Sequence, residues 1–526
     1  MPKLLKLLLI SAFFNALGWA VLIPIWQYPD EQAHFAQVQD IAELGSVPTL
    51  GPNTSYEIAL SEKVLATQRD GFGNNKYTYH PEYNIPYSES SDGLFEEVLV
   101  NLPKESRTNL VKNEATINPP LFYFLGSIAY RLVYNGTLLD RVFSVRLMTA
   151  IIFLGTIFLS FKIGQIIFEE EKLLALALPA LIAFKPMLTF ASTGILPDAL
   201  TNFLFSLMLY LSLLICKEGT KISTLVMVVL TIILGVSTRQ QFLISTIIVS
   251  LALIYQIYKN PGYIKHFILS ILVFAVFIYI TNTFLLGLPF FSNFRVPEIF
   301  DSGFLQFGSL SFSTFINYFL WSIRHTYSEV WPWYWGVYKW LSLTLPHVYY
   351  QIINRLTLIA LIGIIIKFIL IVRKRDISKQ TIYLVFLLTA SLIYFLTLVT
   401  WDYIFYLKHG FSFGIQGRYF FPLVVAHISL ILIAFWQLFK TFLNNYAKLG
   451  LVTLVFIMIV FNDLSLFHIA GSYYDTSSLE IFIAQASQYK PLFVKGNTIL
   501  FALTLNFGFQ LLLIFYLLKN AIKQTR

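Results

Sequence analysis

Apolar runs of bilayer length recur from one end of this chain to the other, and nothing else constrains its fold as strongly. A run of about twenty apolar residues is long enough for a helix to cross the hydrocarbon core. Such runs occupy 4–26, 143–168, 173–192, 198–216, 221–237, 240–258, 264–287, 349–372, 380–400, 417–439, 447–466 and 496–518. They predict an all-α polytopic membrane protein with about twelve transmembrane helices. The 526 residues are 57% hydrophobic and 12% charged, a balance that sets the chain apart from soluble enzymes. The first run is full length and no small-residue cleavage site follows it, which reads against a cleaved signal peptide. The single cysteine, Cys216, excludes an intrachain disulfide and a cysteine-based metal cluster.

Charge fixes the expected sidedness. With Lys3 and Lys6 in the cytoplasm, the later inner loops carry Lys217 and Lys221, Lys259 and Lys265, Arg373 to Arg375 with Lys379, then Lys440 and Lys448. The tail adds Lys519, Lys523 and Arg526. This obeys the positive-inside rule at every turn but the short loop at Glu169 to Lys172. It requires that 118–135, which opens with Pro119 and Pro120 and carries Arg131, lie in the outer interface rather than cross. Both termini are then cytoplasmic. The net charge of +9 records these loops, so nucleic acid is not an expected partner. Three outer segments, 27–141, 288–347 and 471–495, are expected to cover a water-accessible cavity in a single domain spanning 1–526. No internal repeat is visible.

Unusual polar residues collect on that outer side. Asp30, Glu31 and His34 follow the first span in Tyr28-Pro29-Asp30-Glu31-Gln32-Ala33-His34, at the head of the amphipathic stretch Glu31 to Leu44 that Gly45 closes. Asp198 lies in the outer turn after the third run, Arg239 in the turn after the fifth, and Arg418 with Tyr419 where the tenth begins. An acidic group at a membrane boundary is costly unless it meets water, an ion or a cation. Simpler roles stand beside a catalytic one. Asp30 and Asp198 each follow a proline and can cap a helix. Arg239 and Arg418 can snorkel, and His34 can belong to a helix face. The segment Trp331-Pro332-Trp333-Tyr334-Trp335 reads as an interfacial aromatic belt. Lys185 is an intramembrane charge that the topology allows to face the cavity.

The order of these features resembles the GT-C superfamily of integral-membrane glycosyltransferases, which includes protein mannosyltransferases and the aminoarabinose transferases of lipid A. In that family an acidic motif follows the first span and leads into a juxtamembrane helix. A second juxtamembrane helix opens on a Pro-Pro motif, as Asn118-Pro119-Pro120-Leu121-Phe122-Tyr123 does here. The arginine at the start of the next span corresponds to Arg146, and the second acidic turn to Pro197-Asp198-Ala199. The stretches Pro29 to Phe35 and Gln416-Gly417-Arg418-Tyr419-Phe420-Phe421-Pro422 are more similar still to a bacterial group of GT-C-like polytopic proteins. Neither acidic turn holds a full Asp-X-Asp, so a divalent cation is left open rather than expected.

The resemblance implies sugar transfer, with inversion, from a polyprenyl-phosphate donor to a glycan, lipid or protein acceptor of the cell envelope, on the outer face of a multi-pass cell-membrane protein. Asp30 is then the candidate general base, with Glu31 and Asp198 as the other catalytic carboxylates. Asp198 would bind acceptor, orient donor or help hold a cation. Arg239, Arg418, Tyr419 and His34 are the candidates for the donor and its phosphate, arginine being suited to phosphate oxygens by its planar fork. The rival reading is a transporter or flippase of lipid-linked sugars, which needs a phosphate site too but lacks the expected repeat. A third is a catalytically inactive receptor or scaffold.

Overall fold

The computed structural model describes residues 2–45, 53–65, 67, 92–112, 118–169, 171–266, 268, 271–272, 276, 312–375 and 378–525. Helices dominate. Eight helical runs among the described residues are long and apolar enough to cross a membrane, so the chain is a multi-pass membrane protein. That count falls short of the expected twelve for local reasons. The stretch 173–192 breaks into Lys172–Ala183 and Pro186–Ala191, because Pro186 cannot donate to a continuing helix. The stretch 221–237 forms the 15-residue helix Ile222–Val236. Two expected spans merge in the run 417–473, where Val424–Leu438 and Ala447–Tyr473 are joined by a π turn at Phe439–Leu443 and a 3-10 turn at Asn444–Tyr446. The stretch 264–287 lies largely outside the described residues, as does all of 288–311.

Two packing centres organise the helices. The first span, Pro2–Leu22, packs against Asn497–Thr525 and Leu138–Ile167, and the latter in turn packs against Asp198–Glu218. The second centre is the contact of His347–Lys374 and Lys379–His409 with Val424–Leu438. The helix break at Ala183 would strand a carbonyl, but that carbonyl accepts from Asn15 Nδ2 and Thr189 Oγ1, each at 3.1 Å. Internal partners of this kind are what permit broken helices at membrane depth.

The two juxtamembrane helices form as expected. Glu31–Leu44 ends at Gly45 in the left-handed conformation, and Leu121–Leu132 packs along it. The latter has 12 residues, about 18 Å of rise, which is too short to cross. Arg131 donates back to the carbonyls of Ile41 and Ala42 at the end of the first helix. A short antiparallel strand pair, Asn53–Ser55 with Leu110–Lys112, adds a little sheet to the all-α plan, as does Val337–Tyr338 with Leu343–Thr344.

A buried ion pair ties the helix Tyr56–Val64 to Leu138–Ile167. Arg141 donates to both oxygens of Glu57, at 2.7 and 2.9 Å, and to Tyr130 Oη at 2.5 Å. Both charged side chains are almost fully buried. Removing one partner leaves the other charge stranded, at a cost of about 3–5 kcal/mol. Glu57→Ala is therefore expected to lower the thermal unfolding midpoint of the purified protein clearly. The double variant Glu57→Ala with Arg141→Met should lose less than Glu57→Ala alone.

Candidate active site

The site is assembled around residues that leave the first span. The helix stops at Leu22, and Pro24 prevents its resumption. Arg146, from the helix Leu138–Ile167, enters beneath this break. It donates to the carbonyls of Ala20, Ile23 and Pro24 at 3.2, 2.8 and 2.8 Å. The same guanidinium grips Glu31 with both prongs, Nε to Oε1 at 2.7 Å and Nη2 to Oε2 at 2.6 Å. Glu31 also accepts the backbone N–H of Trp26 at 3.0 Å and of Ile195 at 3.4 Å. Both of its oxygens are thus engaged, and the side chain is fully buried.

Glu31 brings the second acidic turn alongside the first, through Ile195. Tyr28 reinforces the junction by sharing a hydrogen bond with Thr193 Oγ1 at 2.9 Å. Gly194 is what lets the turn approach, since a Cβ there would lie 2.3 Å from the Tyr28 ring. Asp198 follows as the first residue of Asp198–Glu218. The residue at the N-cap is Pro197, so the capping role expected for Asp198 is not the one it takes. Its Oδ1 instead pairs with Arg239 Nη1 at 2.8 Å, while its buried Oδ2 has no hydrogen-bond partner among the described residues.

Asp30 does occupy an N-cap position, yet its side chain makes no capping hydrogen bond. Its backbone is left-handed, with φ of 57°, a conformation that Asp and Asn tolerate better than most residues. The carboxylate is a third exposed and lies 3.7 Å from Arg418 Nη2. Arg418 is buried, and its Nε and Nη1 have no hydrogen-bond partner among the described residues. It sits in the 3-10 turn Gly417–Leu423, beside Tyr419, whose ring lies 5.8 Å from the guanidinium. Tyr394 Oη donates to the Tyr419 carbonyl at 2.9 Å and anchors that turn.

His34 shares a hydrogen bond with Tyr123 Oη at 2.8 Å and stacks on that ring. The helix carrying Tyr123 is tied on both sides. Gln37 donates to the Asn118 carbonyl at 2.9 Å, and the Leu121 N–H donates to the Ser237 carbonyl at 2.9 Å, two residues before Arg239. Asp30, Asp198, Arg239, Arg418 and His34 therefore share one electrostatic neighbourhood, with each of the first four acting on the His34 ring. Tyr123 was not singled out from the sequence, because a tyrosine on an apolar interfacial helix carries no local signal of chemistry. Arg146 does carry one, as a charge within an apolar run.

Among the described residues no group of three or more His, Cys, Asp or Glu side chains is arranged to hold a metal ion, and Asp198 and Asp30 each face an arginine. The aromatic belt expected at 331–335 is also replaced. Tyr334 and Trp335 are buried inside the bundle, where they surround Lys185.

Burial pushes the His34 imidazole down from its ordinary value of 6.5 to about 3, with Arg239 and Arg418 adding to the effect and Asp30 and Asp198 opposing it. The ring is neutral at pH 7. A group held neutral in this way contributes stability that is complete above about pH 6.5 and is lost as the pH falls toward 3. His34→Gln keeps a polar partner for Tyr123 without that proton. Between pH 7.5 and pH 4.5, roughly the window that linkage sets, the wild-type unfolding temperature is expected to fall further than that of His34→Gln. Parallel curves would show that His34 does not titrate this way.

Comparison with known proteins adds the following. A search of curated proteins returned no match. Among solved structures, the archaeal oligosaccharyltransferase AglB from Archaeoglobus fulgidus, in complex with an inhibitory peptide and a dolichol-phosphate, is similar at 13% identity and a TM-score of 0.41. That match covers 89% of this chain and 55% of AglB, so the chain spans little more than half the length of that protein. ArnT from Cupriavidus metallidurans in the apo state is similar at 12% identity and a TM-score of 0.38, over 95% of this chain and 74% of ArnT. The family model described as "Predicted membrane protein (DUF2142)" matches residues 13–427, most of the chain, and the protein belongs to that family.

Proposed function

We propose that this protein is a membrane glycosyltransferase that moves a sugar from a polyprenyl-phosphate donor to an acceptor on the outer face of the membrane. The observation that carries the reading is the pairing of unsatisfied groups at one place. Arg418 presents two buried N–H groups without partners and Asp198 one buried oxygen without a donor, beside a partly exposed Asp30. Buried polar atoms in native proteins are nearly always bonded, so a cluster of exceptions marks a site built for a ligand.

The chemistry follows from the two kinds of group. Asp30 takes the proton from the acceptor nucleophile, which attacks the anomeric carbon from the face opposite the phosphate. The bond from that carbon to the phosphate oxygen breaks, and the phosphate leaves with the electron pair. Arg418 meets the charge developing on it, through donors whose geometry matches phosphate oxygens. Asp198 accepts from a sugar hydroxyl while Arg239 holds it in place. Glu31, fully engaged with Arg146, positions Asp30 rather than reacting. His34 and Tyr123 form the wall of the cavity, and Tyr419 flanks the phosphate. The polyprenyl chain lies in the apolar cavity of about 350 Å³ bordered by Trp331, Leu361, Leu388, Phe395, Phe420 and Ile431. Phe420 places one end of that cavity two residues from Arg418.

Asp30→Asn separates the base from the scaffold, because asparagine accepts the left-handed backbone at least as well. Purified Asp30→Asn is expected to fold normally and to lose about two orders of magnitude or more in transfer. Arg418→Lys should weaken donor use despite keeping the charge, and Arg418→Ala should be worse. Detergent-solubilised wild type should form the new glycosidic bond without a bilayer. Leaflet exchange of lipid-linked sugar in proteoliposomes, with no transfer in detergent, would instead make the protein a flippase.

The reading also requires the site to face outward, as the lysine and arginine distribution implies. In a Cys216→Ala background, a cysteine placed at Leu110 should react with an impermeant thiol reagent added to intact cells. One placed at Lys374 should react only after permeabilisation. Reaction of both from the same side would overturn the topology.

A further inference from the structure

Lys185 stands outside the proposed chemistry, and yet its side chain is fully buried in the bundle. It occupies the break between Lys172–Ala183 and Pro186–Ala191, where the chain is free to turn its side chain inward. Among the described residues no carboxylate pairs with it. Its Nζ donates to the Tyr334 carbonyl. Three aromatic faces enclose the rest of the ammonium, with centroids at 3.9 Å for Tyr334, 4.3 Å for Trp335 and 5.1 Å for Phe421. Aromatic rings attract a cation most strongly when water is excluded, as it is here.

The cage joins two segments that otherwise meet only by packing. Tyr334 and Trp335 belong to the short helix Trp331–Trp335, and Phe421 to the 3-10 turn Gly417–Leu423 that carries Arg418. The two segments are in backbone contact. A Cβ on Gly417 would stand 2.2 Å from the Tyr334 nitrogen and 2.5 Å from the Trp333 carbonyl carbon. Tyr334 and Phe421 also pack edge to face at 5.3 Å. The ammonium therefore clamps the surface on which Gly417 rests to the turn that Gly417 begins, and Arg418 is the next residue. An apolar side chain of similar shape would fill the same space without the cost of burying a charge. What the charge adds is a fixed geometry between three rings and one carbonyl.

We propose that Lys185 is a positioning residue whose caged ammonium holds the Arg418 guanidinium where it grips a lipid phosphate. This rests on the phosphate site proposed above, and the test keeps the two apart. The probes are undecaprenyl phosphate and undecaprenol, which share a tail and differ in the phosphate. Binding of each to the purified full-length protein in detergent gives a ratio of dissociation constants that reports the phosphate contact alone. Wild type is expected to prefer the phosphate by at least about tenfold, the scale of one charge-assisted contact. Lys185→Met should bind undecaprenol within about twofold of wild type, and its phosphate preference should fall to about threefold or less, because the lost contact is the charge-assisted one. Adding Lys185→Met to Arg418→Ala should change the ratio no further, since the two act through one contact.

Equal weakening for both lipids, leaving the ratio intact, would make Lys185 a packing residue and overturn the inference. So would a second full loss of preference on top of an incomplete one in Arg418→Ala. Where Lys185→Met does not fold, Phe421→Leu decides the matter by removing one wall of the cage: a reduced ratio is expected, and an unchanged ratio overturns the inference. A wild-type protein without any phosphate preference would instead sink the phosphate site itself.

Discussion

The Glu31–Arg146 ion pair is the interaction on which the candidate site of this protein depends. A charge in an apolar bundle is tolerated only when every donor and acceptor around it is met. Here the requirement is met with backbone. Three carbonyls released where the first span ends take the remaining N–H groups of Arg146, and two backbone N–H groups take the free lone pairs of Glu31. Lys490 shares the Ile23 carbonyl with Arg146 at 2.9 Å, and burial holds its amine well below the usual lysine range, consistent with two cations close to one carboxylate. Such a network gives little net stability, but it permits one arrangement of the chain and few others. It decides where the first span stops, where the second acidic turn lies, and in which direction Asp30 projects.

Two neighbouring carboxylates thereby receive opposite environments. Glu31 is fully engaged and buried, whereas Asp30, one residue earlier, is partly exposed and only loosely held by Arg418. The left-handed backbone at Asp30 takes it out of the helical winding that begins at Glu31, so the two neighbouring side chains point into different surroundings. The same contrast separates the two arginines. Arg239 is committed to Asp198 at hydrogen-bond distance, while Arg418 stands 3.7 Å from Asp30 and keeps two donors in reserve. In this proposal the committed pair orients a sugar and the loose pair performs the reaction.

Much of this architecture was legible in the sequence, because spans and juxtamembrane helices are written in long-range patterns of hydropathy and charge. That Asp30, Asp198, Arg239 and Arg418 would fall in one neighbourhood followed from counting spans, and the structure brings them together. The count itself was less secure, since hydropathy cannot distinguish an unbroken helix from one interrupted at Phe184-Lys185-Pro186. Local pattern was least informative about side-chain direction. Both acidic turns look like helix caps, and neither carboxylate bonds as one. The tryptophan-rich segment has the composition of an interfacial belt, and its position around Lys185 depends on contacts between residues some 150 positions apart, as the Lys185–Tyr334 bond shows. Nothing in a window of twenty residues records a contact of that range.

A last constraint explains why Arg418 sits on a 3-10 turn rather than on a helix. Pro422 lies within Gly417–Leu423 and removes a donor that a regular helix would require. The tighter winding keeps the turn short and lets Gly417 touch the backbone of Trp333 and Tyr334. Had the helix Val424–Leu438 simply extended upward, Arg418 would have had helical neighbours one turn away and a long, mobile approach to the cavity. The turn instead seats Gly417, the residue before Arg418, against the backbone of Trp333 and Tyr334, so the guanidinium approaches Asp30 from a packed base. A donor that is to meet charge only as it develops must be preorganised in this way, because reorganising it during the reaction would forfeit the stabilisation it supplies.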